Sequence, residues 1–246
     1  MSKGFSGLWT RSLLAFPDGR RDETTKVKWL QGPRLFADLR QPTGRPACCL
    51  TQGPERLSHE ASQWLASQSG FAGVFSFQDG IAEWRREIDF QPRAALPDAG
   101  RLEWRGRVLV ETGLHVPYLE HWHAGEEPHA PSFGLRLRSA SDGRLAILVR
   151  SGPLFMLARD RAPGIALSGP DLLTCLAGAA DPAAMRAILD CEISSGHVEP
   201  GWVIGHSTLP WREGKALCLS LHGESHFNLD GTPWEILHAE GDLSFT

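Results

Sequence analysis

The sequence predicts an all-β protein made of two antiparallel β-barrel lobes, which arise from an internal duplication and carry one short helix each. Three observations lead to this prediction. The 26 glycines and 17 prolines break the chain into short apolar runs at regular intervals, as in β-barrels and sandwiches. Apolar residues follow a helical spacing at only two short places. Landmarks of the first half also recur in the same order in the second half.

The first half contains seven predicted strands and one helix. Gly32-Pro33 and Asp79-Gly80 are tight-turn signals that each separate two β-rich runs, so both mark hairpins. Between them, Ala61, Trp64 and Leu65 recur at helical spacing after Ser58, which predicts a helix over residues 58–67. The predicted strands cover residues 8–16, 26–31, 34–40, 71–77, 82–90, 102–104 and 107–112.

The second half follows a similar pattern. A short helix is predicted over residues 171–176, after Pro170. The predicted strands cover residues 118–123, 133–139, 145–150, 154–159, 188–194, 202–208, 216–221, 225–229 and 234–237. The two halves therefore have comparable strand content around one helix each.

Matching landmarks in the two halves support a duplication. They keep their order at a nearly constant offset of about 118 residues, which five unrelated coincidences would not produce readily. The pairs are Phe36 with Phe155, Arg40 with Arg159, Trp84 with Trp202, Pro92 with Pro210 and Gly113 with Gly231. We therefore expect an N-terminal lobe over residues 1–115 and a C-terminal lobe over residues 116–246.

Composition excludes several classes of function. The formal net charge is -4, and Lys and Arg are scattered, so the basic surface of a nucleic-acid-binding protein is absent. No stretch approaches the roughly 18 apolar residues of a membrane span, and the first residues lack a signal-peptide pattern, so we expect a cytoplasmic protein. The five cysteines are odd in number and lack a Cys-x-x-Cys pair, which predicts reduced thiols.

Several short segments resemble an uncharacterised family of paired lipocalin-like proteins. They are Trp9-x-Arg11, residues 27–31 (VKWLQ), 36–42 (FADLRQP), 70–73 (GFAG), 118–122 (YLEHW), 191–194 (CEIS) and 207–214 (STLPWREG). The resemblance spans nearly the whole chain. It implies two lipocalin-like barrels of the calycin type, but the family has no established reaction, so it implies a fold and no activity.

The segment 118–123 supplies the first candidate binding residues. Alternate residues of a strand share one face, so Tyr118, Glu120 and Trp122 lie on the same side. Inside a barrel, two aromatic rings and a carboxylate suit a polar ligand. The alternative is that the rings pack in the core while Glu120 pairs with an arginine. The sequence leaves both interpretations open.

Two arginines are candidates for the same site. Arg11 shares a strand face with Trp9, and Arg86 shares one with Trp84. A buried arginine needs a carboxylate or a ligand anion, and its guanidinium stacks well on an indole. If these arginines are structural, the expected partner is Asp38, Glu120 or Glu192. If they bind a ligand, the expected partner is an anionic group of that ligand.

A metal site has weaker support. His121 and His123 share a strand face near Glu127, which resembles half of the metal motif of cupins. The glycine of that motif is misplaced, however, and the next histidines, His222 and His226, are not at the spacing of a second motif. We therefore expect no metal and no cofactor.

The leading functional hypothesis is a non-catalytic protein that binds a small, partly apolar molecule inside a barrel. A second hypothesis is an enzyme in which Glu120 acts as acid or base, since burial beside aromatic rings would raise the pKa of its carboxyl. A third is a protein-interaction module that uses the groove between lobes or an exposed strand edge. The sequence has no Gly-x-Ser-x-Gly motif and no phosphate-binding loop, so no reaction is identified.

Overall fold

The computed structural model describes residues 4–50, 53, 57–125, 130–222 and 225–245, without the side chains of Cys48 and Leu50. Within these residues the chain forms two antiparallel sheets, three short α-helices and two single-turn 3-10 helices, Ala47–Leu50 and Pro210–Arg212. The mostly β architecture predicted from the sequence is confirmed. No helix among the described residues is long and apolar enough to cross a membrane.

The first sheet is a closed barrel of eight strands. Each strand pairs with the next along the chain, and pairing of the last strand with the first closes the barrel. The two-residue strand β2 (Arg21–Asp22) adds to the edge of β1. The barrel strands are β1 (Gly7–Ala15), β3 (Lys26–Gln31), β4 (Leu35–Gln41), β5 (Ser69–Gln78), β6 (Ile81–Asp89), β7 (Ala99–Arg105), β8 (Val108–Gly113) and β9 (Leu119–Ala124).

The second sheet also has eight strands but forms only a half-barrel. Its first and last strands pair as in the first lobe, whereas no pairing joins its fifth and sixth strands among the described residues; Val203 of the fifth strand forms a single bridge with Ala216, which precedes the sixth. The strands are β10 (Ser132–Ser139), β11 (Leu145–Ser151), β12 (Leu154–Arg159), β13 (Glu192–His197), β14 (Val203–Ser207), β15 (Leu219–His222), β16 (His226–Leu229) and β17 (Thr232–Gly241).

The two sheets share one topology. Each is a meander whose helical segment lies between its third and fourth strands: α1 (His59–Ser67) in the first lobe, and α2 (Leu172–Ala177) with α3 (Pro182–Leu189) in the second. The matched landmarks Phe36 and Phe155 both lie on the third strand of their sheet. Strand β9 completes the first barrel, so that sheet extends beyond the expected lobe boundary at residue 115.

The helices begin where side chains cap them. Ser58 accepts a hydrogen bond from the backbone N–H of Ala61, and Asp171 and Asp181 do the same for α2 and α3. Helix α3 is a correction, because a strand is predicted from residue 188 onward. Asp181 followed by Pro182 is a helix-start signal, since proline at the first helical position loses no hydrogen bond.

Strand alternation separates two interiors in the first lobe. Phe36 points into the barrel and packs with Trp29 and Phe71, whereas its neighbours Leu35 and Ala37 point outward. The outward residues of β3, β4 and β5 join a core with β11, β12, β13 and the helices. A shared apolar core therefore holds the two lobes together, and each lobe also has an apolar core of its own.

Candidate functional site

The first barrel encloses a cavity of about 200 Å³. The predicted residues Tyr118, Glu120 and Trp122 all line it, Glu120 and Trp122 from one face of β9 and Tyr118 from the residue before this strand, and Arg86 lines it from β6. Arg11 lies beside this group on β1, where its side chain reaches Glu120. The structure thus brings together all five residues that the sequence singles out.

Indole and phenyl rings form the apolar walls of the cavity. Trp29 occupies the centre of the cluster, with its ring centroid 5.4 Å from that of Trp84 and 5.5 Å from that of Trp122. On another wall, two guanidinium groups lie near the Phe71 ring, with Arg86 3.5 Å and Arg40 4.9 Å from its centre. These rings give the cavity a surface that favours apolar or cationic groups.

Glu120 belongs to a buried ion-pair network. Arg11 Nη1 lies 2.6 Å from Glu120 Oε1, and Arg11 Nη2 lies 2.7 Å from Asp22. Arg40 Nη1 approaches the same Glu120 oxygen at 3.5 Å, while Arg40 Nε lies 2.7 Å from Asp38. Glu120 therefore pairs with arginines, as one of its two interpretations predicts, and it also lines the cavity.

Arg86 is also paired with carboxylates. Its Nη2 lies 2.7 Å from Asp98, and its Nη1 lies 3.1 Å from Asp89. Since Arg11, Arg40 and Arg86 each have a carboxylate partner, no guanidinium around this cavity needs a ligand anion for charge balance. An anion-binding role for Arg11 or Arg86 gains no support from this geometry.

Glu111 is the polar residue that the sequence analysis missed. It lies on β8, accepts a hydrogen bond from Tyr118 Oη at 2.5 Å, and accepts another from Trp122 Nε1 at 2.9 Å. Burial, together with the negative charge of nearby Glu120, raises the pKa of the Glu111 carboxyl to about 8. Among the described residues, Glu111 has no arginine partner, unlike Asp38, Asp98 and Glu120.

A signal for Glu111 exists in the sequence. Glu111 shares a strand face with Leu109. If this face of β8 points into the barrel, the Glu111 carboxyl lies inside it. Both Leu109 and Val110 are apolar and buried, however, so the pattern does not say which face points inward. Only the closed barrel decides it.

Two glycines make room for this arrangement. A Cβ at Gly100 would lie 2.6 Å from Glu111 Cγ, and a Cβ at Gly113 would lie 2.2 Å from the carbonyl oxygen of Val116 and 2.5 Å from the Tyr118 ring. Gly231, which the duplication pairs with Gly113, has a different role. It adopts a φ of +79° in a turn, a conformation that favours glycine, and a Cβ there would meet no heavy atom within 4 Å. The matched glycines thus serve different physical needs.

We expect Gly113→Ala to lower the free energy of unfolding by about 1 to 3 kcal/mol, because the backbone or Tyr118 must move to admit the methyl group. Urea denaturation followed by tryptophan fluorescence measures this loss. Gly201→Ala is the control, since no heavy atom lies within 4 Å of a Cβ at that position. Equal stabilities of the two variants would contradict the tight approach at Gly113.

The histidines lie away from this cavity. His123 Nε2 is 2.7 Å from Ser12 Oγ, and His121 shares its face of β9. The third residue of the suggested metal motif, Glu127, lies outside the described residues. Among the residues that are described, no group of three His, Cys, Asp or Glu side chains is arranged to hold a metal ion.

Four cysteines have described side chains: Cys49, Cys175 and Cys191 are buried, and Cys218 is exposed. Burial raises the pKa of the Cys191 thiol to about 12, so this thiol stays protonated at neutral pH. The buried cysteines therefore behave as small apolar core residues.

Comparison with known proteins gives a fold and no family. No protein-family model matches the chain, and no curated protein matches it. The chain is similar in structure to an uncharacterized protein of Saccharomyces cerevisiae, YLR301w, with a TM-score of 0.56 and 12% sequence identity. The match covers 95% of this chain and 98% of the yeast chain. At this identity the likeness concerns the fold alone.

Proposed function

We propose that this protein is a non-catalytic binding protein whose first barrel holds a small, partly apolar cation. The observation that carries the proposal is Glu111, a buried carboxyl without an arginine partner among the described residues, in a cavity walled by tryptophans. The resemblance of the sequence to lipocalin-like proteins supports a ligand inside the barrel, since eight-stranded barrels have room for one small ligand.

The size and walls of the cavity define the ligand class. A volume of about 200 Å³ is below the usual range for drug-sized ligands, so the ligand is small. The rings of Trp29, Trp84 and Trp122 present negative π-faces, which attract quaternary ammonium groups. The Glu111 carboxylate would supply the counter-charge, because the other lining carboxylates already pair with arginines.

We expect choline to bind more tightly than 3,3-dimethylbutan-1-ol, its neutral isostere, when both are titrated by isothermal calorimetry. Choline must displace the proton from Glu111, so its affinity should rise at least about tenfold between pH 6 and pH 9. The neutral alcohol should show no such rise. Heats measured in buffers of different ionisation enthalpy would reveal the released proton.

Glu111→Gln should remove both the preference for choline and its pH dependence. The matched control is Glu103→Gln, whose carboxyl is exposed on the neighbouring strand β7. Equal binding of choline and its isostere, no binding of either, or an unchanged preference in Glu111→Gln would refute the proposal. Recovery of choline unchanged after incubation separates binding from catalysis.

A further inference from the structure

The second lobe has a larger cavity of about 480 Å³. It lies where Arg159 ends β12, the strand that corresponds to β4 with Arg40 in the first lobe. Helix α3 and the turn at Pro210–Arg212 form part of its walls. Its apolar surface comes from Leu157, Leu189, Leu209, Leu229, Trp211 and Trp234.

Each carboxylate that lines this cavity already has an arginine partner. Asp190 lies 2.5 Å from Arg144 Nη1 and 2.7 Å from Arg159 Nη2. Burial alone would raise the pKa of Asp190, but the hydrogen bonds and charges of these two arginines lower it below its ordinary value. Asp190 is therefore ionised, and each of its carboxylate oxygens pairs with an arginine of the protein.

The other two lining carboxylates share one arginine. Arg212 Nε lies 2.9 Å from Glu192, and Arg212 Nη2 pairs with Asp230. Glu192 also accepts a hydrogen bond from Ser194 Oγ at 2.8 Å, and Asp230 accepts one from the backbone N–H of Cys218 at 2.9 Å. None of these carboxylates therefore needs a cationic ligand to balance its charge.

Two donors at this cavity lack partners among the described residues. Arg186, half-buried in the last turn of α3, lines the cavity without a hydrogen bond or an ion pair. Trp234 is only 3% exposed, and its indole N–H is buried with no acceptor. The buried indole N–H of Trp234 costs free energy while it has no partner, and an acceptor on a ligand would recover this cost, whereas the half-buried guanidinium of Arg186 is open to a ligand because no described carboxylate pairs with it.

We propose that this second cavity binds an organic carboxylate with an apolar body. The carboxylate pairs with the Arg186 guanidinium, in the bidentate geometry that arginine favours, and the apolar body lies against Trp211 and the leucines. The indole N–H of Trp234 supplies a second donor. The two lobes thus differ in the unpaired group of each cavity, a carboxyl in the first and a guanidinium in the second.

Three ligands of one shape test the charge preference: 4-phenylbutyrate, 4-phenylbutanamide and 4-phenylbutylamine, each titrated by calorimetry. We expect 4-phenylbutyrate to bind at least about tenfold more tightly than the amide, and the amine to bind least. Arg186→Gln should reduce the affinity for 4-phenylbutyrate to that for the amide. Arg138→Gln is the control, because Arg138 is exposed on β10 and does not line the cavity.

Fluorine NMR locates the bound ligand. With 5-fluorotryptophan incorporated and resonances assigned by single Trp→Phe variants, 4-phenylbutyrate should shift the Trp211 and Trp234 signals and leave Trp29 and Trp84 in place. Equal affinity for acid and amide, full affinity in Arg186→Gln, or shifts confined to Trp29 and Trp84 would overturn the proposal. These results are independent of choline binding in the first barrel.

Discussion

Arg161→Ala is expected to lower the free energy of unfolding by about 3 to 5 kcal/mol. Arg161 is only 6% exposed, and its guanidinium donates to the carbonyl oxygens of Ile188 at 2.6 Å, Asp89 at 2.9 Å and Phe90 at 2.5 Å. Alanine would remove a charged donor from each of three buried carbonyl oxygens. Urea denaturation followed by circular dichroism measures the loss.

The position of Arg161 explains the size of this effect. It follows β12 of the second sheet, Ile188 belongs to α3, Asp89 ends β6 of the first barrel, and Phe90 comes directly after that strand. One guanidinium therefore connects both lobes and a helix. Arg105→Ala is the control, because its exposed pair with Glu103 should contribute less than about 0.5 kcal/mol. Equal losses in the two variants would contradict this role.

Glu111→Gln is expected to change how stability depends on pH. The folded pKa of about 8 lies above the ordinary value of 4.5, so the folded state favours the protonated carboxyl. The stabilisation from Glu111 is complete below pH 4.5 and is lost as the pH rises toward 8. Each pH unit in this window should cost the native protein up to about 1.4 kcal/mol.

Glutamine does not ionise, so Glu111→Gln should gain stability relative to the native protein at each step from pH 5 to pH 9. Taking the difference between the two proteins at each pH cancels contributions from other groups, including Asp89, whose pKa burial also raises. Urea denaturation at each pH gives this difference. A difference independent of pH, or the same trend in the exposed control Glu103→Gln, would count against a raised Glu111 pKa.

Hairpins and helix starts were predictable because they depend on neighbouring residues. Asp79 and Gly80 adopt φ values of +53° and +80°, the turn conformation expected of an Asp-Gly pair between two strands. Ser58 caps α1 at the predicted position. The alternation in β9 likewise places Glu120 and Trp122 on one buried face.

Helix α3 and the gap between β14 and β15 were missed for different reasons. The start signal at Asp181-Pro182 is local, and its apolar spacing at Met185, Ile188 and Leu189 was obscured by the β-rich residues that follow. The gap between the two strands depends on pairing between distant segments, which no local pattern specifies. Strand positions alone therefore do not distinguish a closed barrel from a half-barrel.

The sequence by itself determined the all-β class, most strand positions and the shared face of Tyr118, Glu120 and Trp122, because strand periodicity and turn geometry act over a few residues. Only the tertiary structure decided which charges are paired. Arg11 meets Glu120 because β1 pairs with β9 to close the barrel, and this contact joins residues far apart in the chain. Glu111 is left without an arginine for the same reason, since the closed barrel assigns each guanidinium to another carboxylate.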